Sequence, residues 1–197
     1  MDLLVVVLGV VCWSAVLVVW VAAAVRDAGT RPAGRVRGST EIGSTVLAIL
    51  AVTALVLIGR DPSLLAPLTV SSPWVTVIGA GVLVGSTPFA IWARLALGRS
   101  WSVGPQAAPE MGLHTDGPYA VTRHPIYTGL IGMALGTALM GGLGQWITLV
   151  VAGLVVAAIK IRSEERLLLA TFPDAYSDYR RRVPALIPRW RLPSAGR

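Results

Sequence analysis

Charge is scarce in this chain of 197 residues: only 14% are Asp, Glu, Lys or Arg, against about 25% in soluble domains. With 54% of the residues hydrophobic and a mean hydropathy of +0.69, the deficit excludes an ordinary water-soluble domain and calls for lipid. Cysteine is nearly absent. Cys12 is the only one and lies in an apolar run, which excludes an internal disulfide and leaves the redox compartment unread. It reads as a small buried or lipid-facing side chain. Histidine is limited to His114 and His124; with one remote cysteine they make no zinc site, and no metal is expected. No Gly-x-Gly-x-x-Gly follows a strand, and no serine has His and Asp partners that the sequence can place. Lys160 is the sole lysine, so the other basic residues are arginine, a bias typical of a GC-rich bacterial genome. The net charge of +7 would suggest nucleic acid in a soluble protein. Here the placement of the charges matters more, and no nucleic-acid partner is expected.

What the sequence does have is long uncharged runs. A bilayer core about 30 Å thick needs about 20 apolar residues in a helix. Leu3 to Val25 is uncharged for 23 residues and Ile42 to Gly59 for 18. The first opens after Asp2 rather than a basic segment and is too long for a signal-peptide core, so it reads as a retained helix. Pro62 to Ala93 is uncharged for 32 residues, more than one span. Pro73 suits a helix start because its missing N–H is not needed there, which predicts a helix from Pro73 to about Arg94, kinked at Pro88. Pro125 to Ile159 is uncharged for 35 residues and is divided by Gly141, Gly142 and Gly144. Three glycines in four residues predict a tight turn, hence a hairpin of two short helices, the second continuing past Lys160 to about Thr171.

The basic residues fix an orientation. Arg26, Arg31, Arg35 and Arg37 lie in the first loop, Arg60 alone in the second, and Arg94, Arg99 and Arg123 in the third. The fourth connection has none, and Lys160 with eight arginines follows. All but one of the 17 basic residues therefore fall on one side. This predicts an integral inner-membrane protein with its N-terminus outside and its C-terminus in the cytoplasm. The fold class expected is all-α, with about five transmembrane helices and a cytoplasmic C-terminal region. Residues 1–60 read as a two-helix membrane anchor and 61–197 as the functional core. Arg180, Arg181 and Arg182 with Trp190 either rest on anionic headgroups or form a plain solvated end.

Polar residues collect in two stretches, Met111 to Gly129 and Lys160 to Tyr179, which frame the last hairpin. The hairpin returns to the same membrane face, so topology brings His124 and Tyr127 close to Glu164 and Glu165. Asp116, Gly117 and Pro118 form a turn signal. Arg123, His124 and Pro125 end one segment and open a helix, whose backbone N–H groups attract a carboxylate. A zwitterionic amino-acid moiety fits there, its ammonium meeting Glu164 or Glu165. On the second helix, Arg162 and Glu165 are spaced to pair at i,i+3. Two plainer readings stand beside these: Arg123 and His124 as a headgroup anchor, and the Lys160–Arg166 turns as a surface ion-pair helix. Ionisable groups beside a bilayer are costly, which favours function.

In order, Gly117, Pro118 and Tyr119; Arg123, His124, Pro125, Ile126, Tyr127, Thr128 and Gly129; Glu164, Glu165, Leu168, Phe172, Tyr176 and Tyr179; then Val183, Ile187 and Pro188 resemble the isoprenylcysteine carboxyl methyltransferase and phospholipid methyltransferase superfamily. The resemblance covers residues 98–190. It implies an S-adenosylmethionine-dependent membrane methyltransferase that yields S-adenosylhomocysteine, its cofactor bound at the cytoplasmic face under a lid from the C-terminal segment. A lipophilic small-molecule acceptor would enter from the bilayer. The cofactor residues implied are Gln106, Leu113, His114, Tyr119, His124, Pro125, Ile126, Tyr127, Glu164 and Glu165. Arg123 or Arg162 is the candidate to hold an acceptor carboxylate, and Glu164 is a candidate catalytic group beside Glu165, His124 and Tyr119. Two positions depart from the pattern: Met111 stands where a histidine is common, and Pro173 where a glycine is usual after Phe172.

Methyl transfer is an in-line displacement in which orientation supplies about 7–11 kcal/mol. A carboxylate acceptor needs no general base; an amine must first lose a proton. Two other classes remain open. One is an NADPH-dependent membrane reductase of sterol or fatty-acyl type, in which Asn usually precedes the Tyr and Glu follows the Gly; Ile126 and Leu130 stand here instead. The other is a non-catalytic membrane scaffold, which binds no small cofactor.

Overall fold

The computed structural model describes residues 3–28, 36–37, 65–70, 72–98, 106–107 and 112–188. They carry helices α1 (Leu3–Ala28), α2 (Pro73–Leu97), α3 (Pro125–Met140), α4 (Ile147–Thr171) and α5 (Pro173–Arg182). Proline stands at the start of α2, α3 and α5, where its fixed φ is preorganised for a helix and its missing donor costs nothing. Leu3–Ala23, Pro73–Leu97 and Gly144–Thr171 are long and apolar enough to cross a membrane, and α3 is a shorter apolar helix. The chain is an all-α integral membrane protein. The expected span at Ile42–Gly59 lies outside the described residues.

The last hairpin is uneven. The 16 residues of α3 rise about 24 Å, short of a full bilayer core, whereas α4 has 25 residues and continues past Lys160 to Thr171, the end expected for it. α2 continues through Pro88 to Leu97, with Thr87 Oγ1 donating to Leu83 O at 2.8 Å. The turn between α3 and α4 needs left-handed backbone at Gly142 (φ +79°) and Gly144 (φ +49°), which glycine adopts without a Cβ clash. Val70 N–H donates to Gly142 O at 2.9 Å, tying the preceding segment to this turn.

α2 and α3 pack through small residues. A Cβ on Gly129 would lie 2.7 Å from Ala90 Cβ, and one on Gly136 would lie 2.8 Å from Gly79 O. Backbones approach this closely in lipid because dispersion and polar contacts, not water exclusion, join helices there. α1 belongs to the same core: Cys12 and Val16 pack with Leu83 and Met133, and Trp13 Nε1 donates to Thr137 Oγ1 at 3.1 Å. The rest of α1 exposes Leu3, Leu4, Leu17, Val18 and Val25, an apolar surface suited to acyl chains. A two-residue antiparallel ladder pairs β1 (Val36–Arg37) with β2 (Gln106–Ala107). It brings the segments that follow α1 and α2 together, so both helices end on one side, the side on which the sequence groups its arginines.

Candidate functional site

Pro125 opens α3 with His124 at the N-cap, and α4 returns Glu164 and Glu165 to the same end of the hairpin. His124 Nδ1 lies 3.5 Å from Glu164 Oε2, and Nε2 lies 3.3 Å from Glu165 Oε1. The ring is almost fully buried. A neutral imidazole has one donor and one acceptor nitrogen, so only the imidazolium serves both carboxylates. Burial works against that charge, but the two glutamates outweigh it and hold the His124 pKa above its usual 6.5. The Tyr127 hydroxyl donates to Glu164 Oε1 at 2.6 Å.

Arg123 completes the cluster from the other side. Its Nη2 and Nε donate to Glu165 Oε1 at 2.6 and 3.1 Å, and its Nη1 donates to the carbonyls of Val183 and Arg180 at 2.5 and 3.3 Å. Arg180 Nε approaches Glu165 Oε2 at 3.8 Å. The i,i+3 pair expected between Arg162 and Glu165 is therefore replaced by a tertiary one: Arg162 faces outward, exposed, and Glu165 turns to Arg123. The guanidinium of Arg123, with five donors in a fixed fork, is engaged by the protein itself. Neither arginine expected to hold an acceptor stands ready for one in this arrangement.

The segment after α5 forms a strap across the start of α3. Arg123 N–H donates to Pro184 O at 2.8 Å and His124 N–H to Ala185 O at 3.1 Å. Thr122 Oγ1 donates to Ala185 O and Thr128 Oγ1 to Leu186 O, each at 2.7 Å. Backbone donors that the sequence assigned to a ligand carboxylate are thus satisfied by chain carbonyls at residues 123 and 124, and Pro125 has none to offer. Beneath the strap Tyr176 and Tyr179 are buried, and the Tyr179 hydroxyl donates to Tyr119 O at 2.6 Å. Tyr176 and Tyr179 stand one helical turn apart, which is the signal for this buried face of α5. The strap itself carried no comparable signal beyond Val183 and Pro188.

A second polar group lies beside the first. The Gly117–Ala120 turn seats Tyr119 against the end of α2, its hydroxyl 3.5 Å from Ala93 O. Burial, then the nearby Glu164 charge, pushes its pKa well up despite the opposing Arg94, so Tyr119 stays a phenol at neutral pH. The His114 ring meets Tyr119 edge-on at 5.1 Å, and its Nε2 is buried without a hydrogen-bond partner among the described residues. Arg94 is fully buried here, a residue the sequence offered only as an orientation charge. Leu113 and Ile126 are half-buried and Pro125 buried around the same corner. Gln106 is described only as a backbone partner of Arg37 in the ladder. Among the described residues no group of His, Cys, Asp and Glu could hold a metal.

Comparison with known proteins bears on the family and the fold. Over 79 residues the chain is 40% identical to the protein-S-isoprenylcysteine O-methyltransferase of Schizosaccharomyces pombe, covering 39% of this chain and 33% of that protein. It is 37% identical over 81 residues to the cobalt-zinc-cadmium resistance protein CzcN of Cupriavidus metallidurans, covering 41% and 37% respectively. Its fold is similar to that of the eukaryotic intramembrane Ras methyltransferase ICMT (isoprenylcysteine carboxyl methyltransferase), with a TM-score of 0.53 and 25% identity, over 74% of this chain and 50% of that one. The matches thus span about a third of the curated relatives and half of the solved chain. The phospholipid methyltransferase pattern matches residues 74–175, just over half of the 197 residues, including α3, α4 and all of α2 but its first residue, and the chain belongs to the phospholipid methyltransferase family.

Proposed function

We propose that this protein is a membrane methyltransferase that uses S-adenosylmethionine at the cytoplasmic end of the α3–α4 hairpin and methylates a lipophilic acceptor reaching it from the bilayer. The observation that carries this reading is His124 held between Glu164 and Glu165 at the strapped end of the hairpin, in a chain of this family. The residues fit the cofactor. Glu164 accepts from Tyr127 and sits at a longer distance from His124. A carboxylate has about four lone-pair sites, so it retains capacity for an ammonium. His114 Nε2, buried and unpartnered among the described residues, offers a further polar contact. Leu113, Tyr119, Pro125, Ile126 and Tyr127 border the same corner, Gln106 is carried as a further contact, and Glu165 supports Glu164 from behind through His124.

When bound, S-adenosylmethionine supplies a methyl group on sulfonium sulfur: an acceptor lone pair forms the new bond to that carbon while the electron pair of the broken carbon–sulfur bond stays on sulfur. The chain's own residues orient and dry the site. The buried imidazolium and the Arg123 guanidinium balance the two carboxylates, so the cluster has no excess negative charge to repel an anionic acceptor. His124, held between two carboxylates that favour its charged form, and Tyr119, a phenol, are unsuited to remove a proton; Glu164 is the remaining candidate base for an amine or thiol. The strap crosses the start of α3 at Arg123 and His124, where the His124 ring is buried, and low exposure strengthens the electrostatics of that ring. We assign residues 61–197 to the catalytic core, with α1 buttressing it, and place the C-terminus in the cytoplasm of an inner membrane.

The test is transfer of radiolabelled methyl from S-adenosylmethionine to a total membrane lipid extract, with the product identified by mass spectrometry. A labelled lipophilic product, lost in E164Q, is expected. No transfer, together with saturable binding of NADPH alone, would overturn the reading in favour of a reductase.

A further inference from the structure

We propose that the C-terminal end of α5 is a docking surface for an anionic bilayer leaflet, and that docking there holds the strap closed over His124. The proposal goes beyond the methyltransferase reading and does not rest on it. α5 has ten residues and is charged unevenly: Asp174 stands in the first turn, whereas Arg180, Arg181 and Arg182 fill the last. The order suits the helix dipole, and it also gathers positive charge at one end. At 1.5 Å per residue, Arg182 lies about 12 Å along the axis from Asp174, beyond the screening length of about 8 Å in physiological salt. Asp178 pairs with Arg181. Arg180 approaches Glu165, whose charge Arg123 and His124 already share. All three arginines are exposed, the Arg181 side chain by 72%, and Arg162 and Arg166 are exposed on α4 within one turn of Glu165. Positive charge therefore exceeds negative charge at this end.

The chain fixes where that end lies. Buried Tyr176 and Tyr179 seat α5 on the protein, and Pro184 and Ala185 accept from the N–H groups of Arg123 and His124, which precede α3. The arginine end of α5 thus stands level with the start of a membrane-hairpin helix, where headgroups begin, and not out in solvent. Ile187 follows the strap and is 81% exposed. An apolar side chain beside clustered arginines suits the boundary between headgroups and acyl chains, which selects a lipid surface over a free phosphate. Docking acts on the strap through the backbone. Arg123 Nη1 donates to the carbonyls of Arg180 and Val183, so the segment that bears the arginines is the segment that Arg123 holds. The strap leaves directly from Arg182, and lifting it must pull the arginines from their headgroups. An anionic leaflet therefore lowers the frequency with which the His124 corner opens.

The test uses the full chain in nanodiscs of phosphatidylcholine alone and of equal parts phosphatidylcholine and phosphatidylglycerol. Amide hydrogen exchange is read at Arg123 and His124, whose N–H groups donate into the strap. An arginine near an anionic surface is worth about fivefold in equilibrium, so exchange in the native protein should slow by about tenfold or more in the anionic discs. The double variant R181Q/R182Q should lose this slowing, and R181K/R182K should keep part of it, because lysine carries the charge without the fork. In phosphatidylcholine alone both variants should exchange as the native protein does, which also reports that they have folded. Equal native exchange in the two discs would overturn the proposal, as would slowing that survives in R181Q/R182Q or vanishes in R181K/R182K. Faster exchange of both variants in phosphatidylcholine alone would assign these arginines to the fold and overturn it too. Slowing reproduced by inorganic phosphate with phosphatidylcholine discs would replace the leaflet with a free anion.

Discussion

His124 Nε2 lies 3.3 Å from Glu165 Oε1, across a hairpin whose two helices leave and re-enter the same end of the molecule. With Nδ1 facing Glu164, this ring is the cation of the cluster, and its charge is pH-dependent. Its pKa is raised above 6.5 in the folded protein. A raised value means that the pairing stabilises the fold fully below the unfolded pKa of 6.5 and is lost as pH rises through the higher folded value. Thermal melts in detergent should therefore show stability declining as pH increases above 6.5, and the decline should be much shallower in H124Q. A native profile that is flat or rises over that interval would contradict the charged bridge.

How much of this was legible in the sequence depended on how local the signal was. Pro73, Pro125 and Thr171 bound helices as expected, because proline geometry and apolar run length act within one element. The meeting of His124 with Glu164 followed from counting crossings. The Arg123–Glu165 pair did not, since the i,i+3 rule sees Arg162 and is blind to a competitor 42 residues away. The resemblance implied a lid from the C-terminal segment, but the seat of the strap was hidden: it binds through the carbonyls of Pro184, Ala185 and Leu186, which leave no side-chain pattern. Arg94 was misjudged because a charge at a helix end fits both an anchor and a buried group. Gly129 entered only through the family resemblance and Gly136 went unread, although both set the contact with α2.

Arg123 holds the strap and Glu165 together, with side-chain exposures of 10% and 16%. Removing one partner of such a pair costs about 3–5 kcal/mol, much of it from the charge left behind. R123A should accelerate amide hydrogen exchange at residues 122–128 and 183–186 well before α2 or α4 respond. E165Q should do the same to a smaller degree, since its side-chain carbonyl still accepts from Arg123. Unchanged exchange at residues 122–128 in R123A would show that the strap is held by its other contacts.

Tyr127→Phe deletes a hydroxyl that donates to a carboxylate at 2.6 Å. Such a bond is worth about 1.5–3 kcal/mol, so affinity for S-adenosylhomocysteine should fall roughly tenfold or more, with the helices intact by circular dichroism. Native affinity in Y127F would detach Tyr127 from the orientation of Glu164.

Gly129 lies one turn inside α3, where a Cβ would meet Ala90 at 2.7 Å. Gly129→Val forces α2 and α3 apart and should destabilise the protein by about 1–3 kcal/mol, read as a lowered melting temperature. A compensating Ala90→Gly should recover part of that loss. No recovery would mean that the strain is relieved elsewhere.

Calorimetric titration of S-adenosylhomocysteine into the native protein, H124A and E164Q tests most directly whether the histidine–proline corner and the glutamate pair form one cofactor site. Saturable native binding, weakened more than about tenfold by each variant while membrane insertion is retained, is the predicted result. Absence of binding to the native protein, or native affinity in both variants, would contradict it.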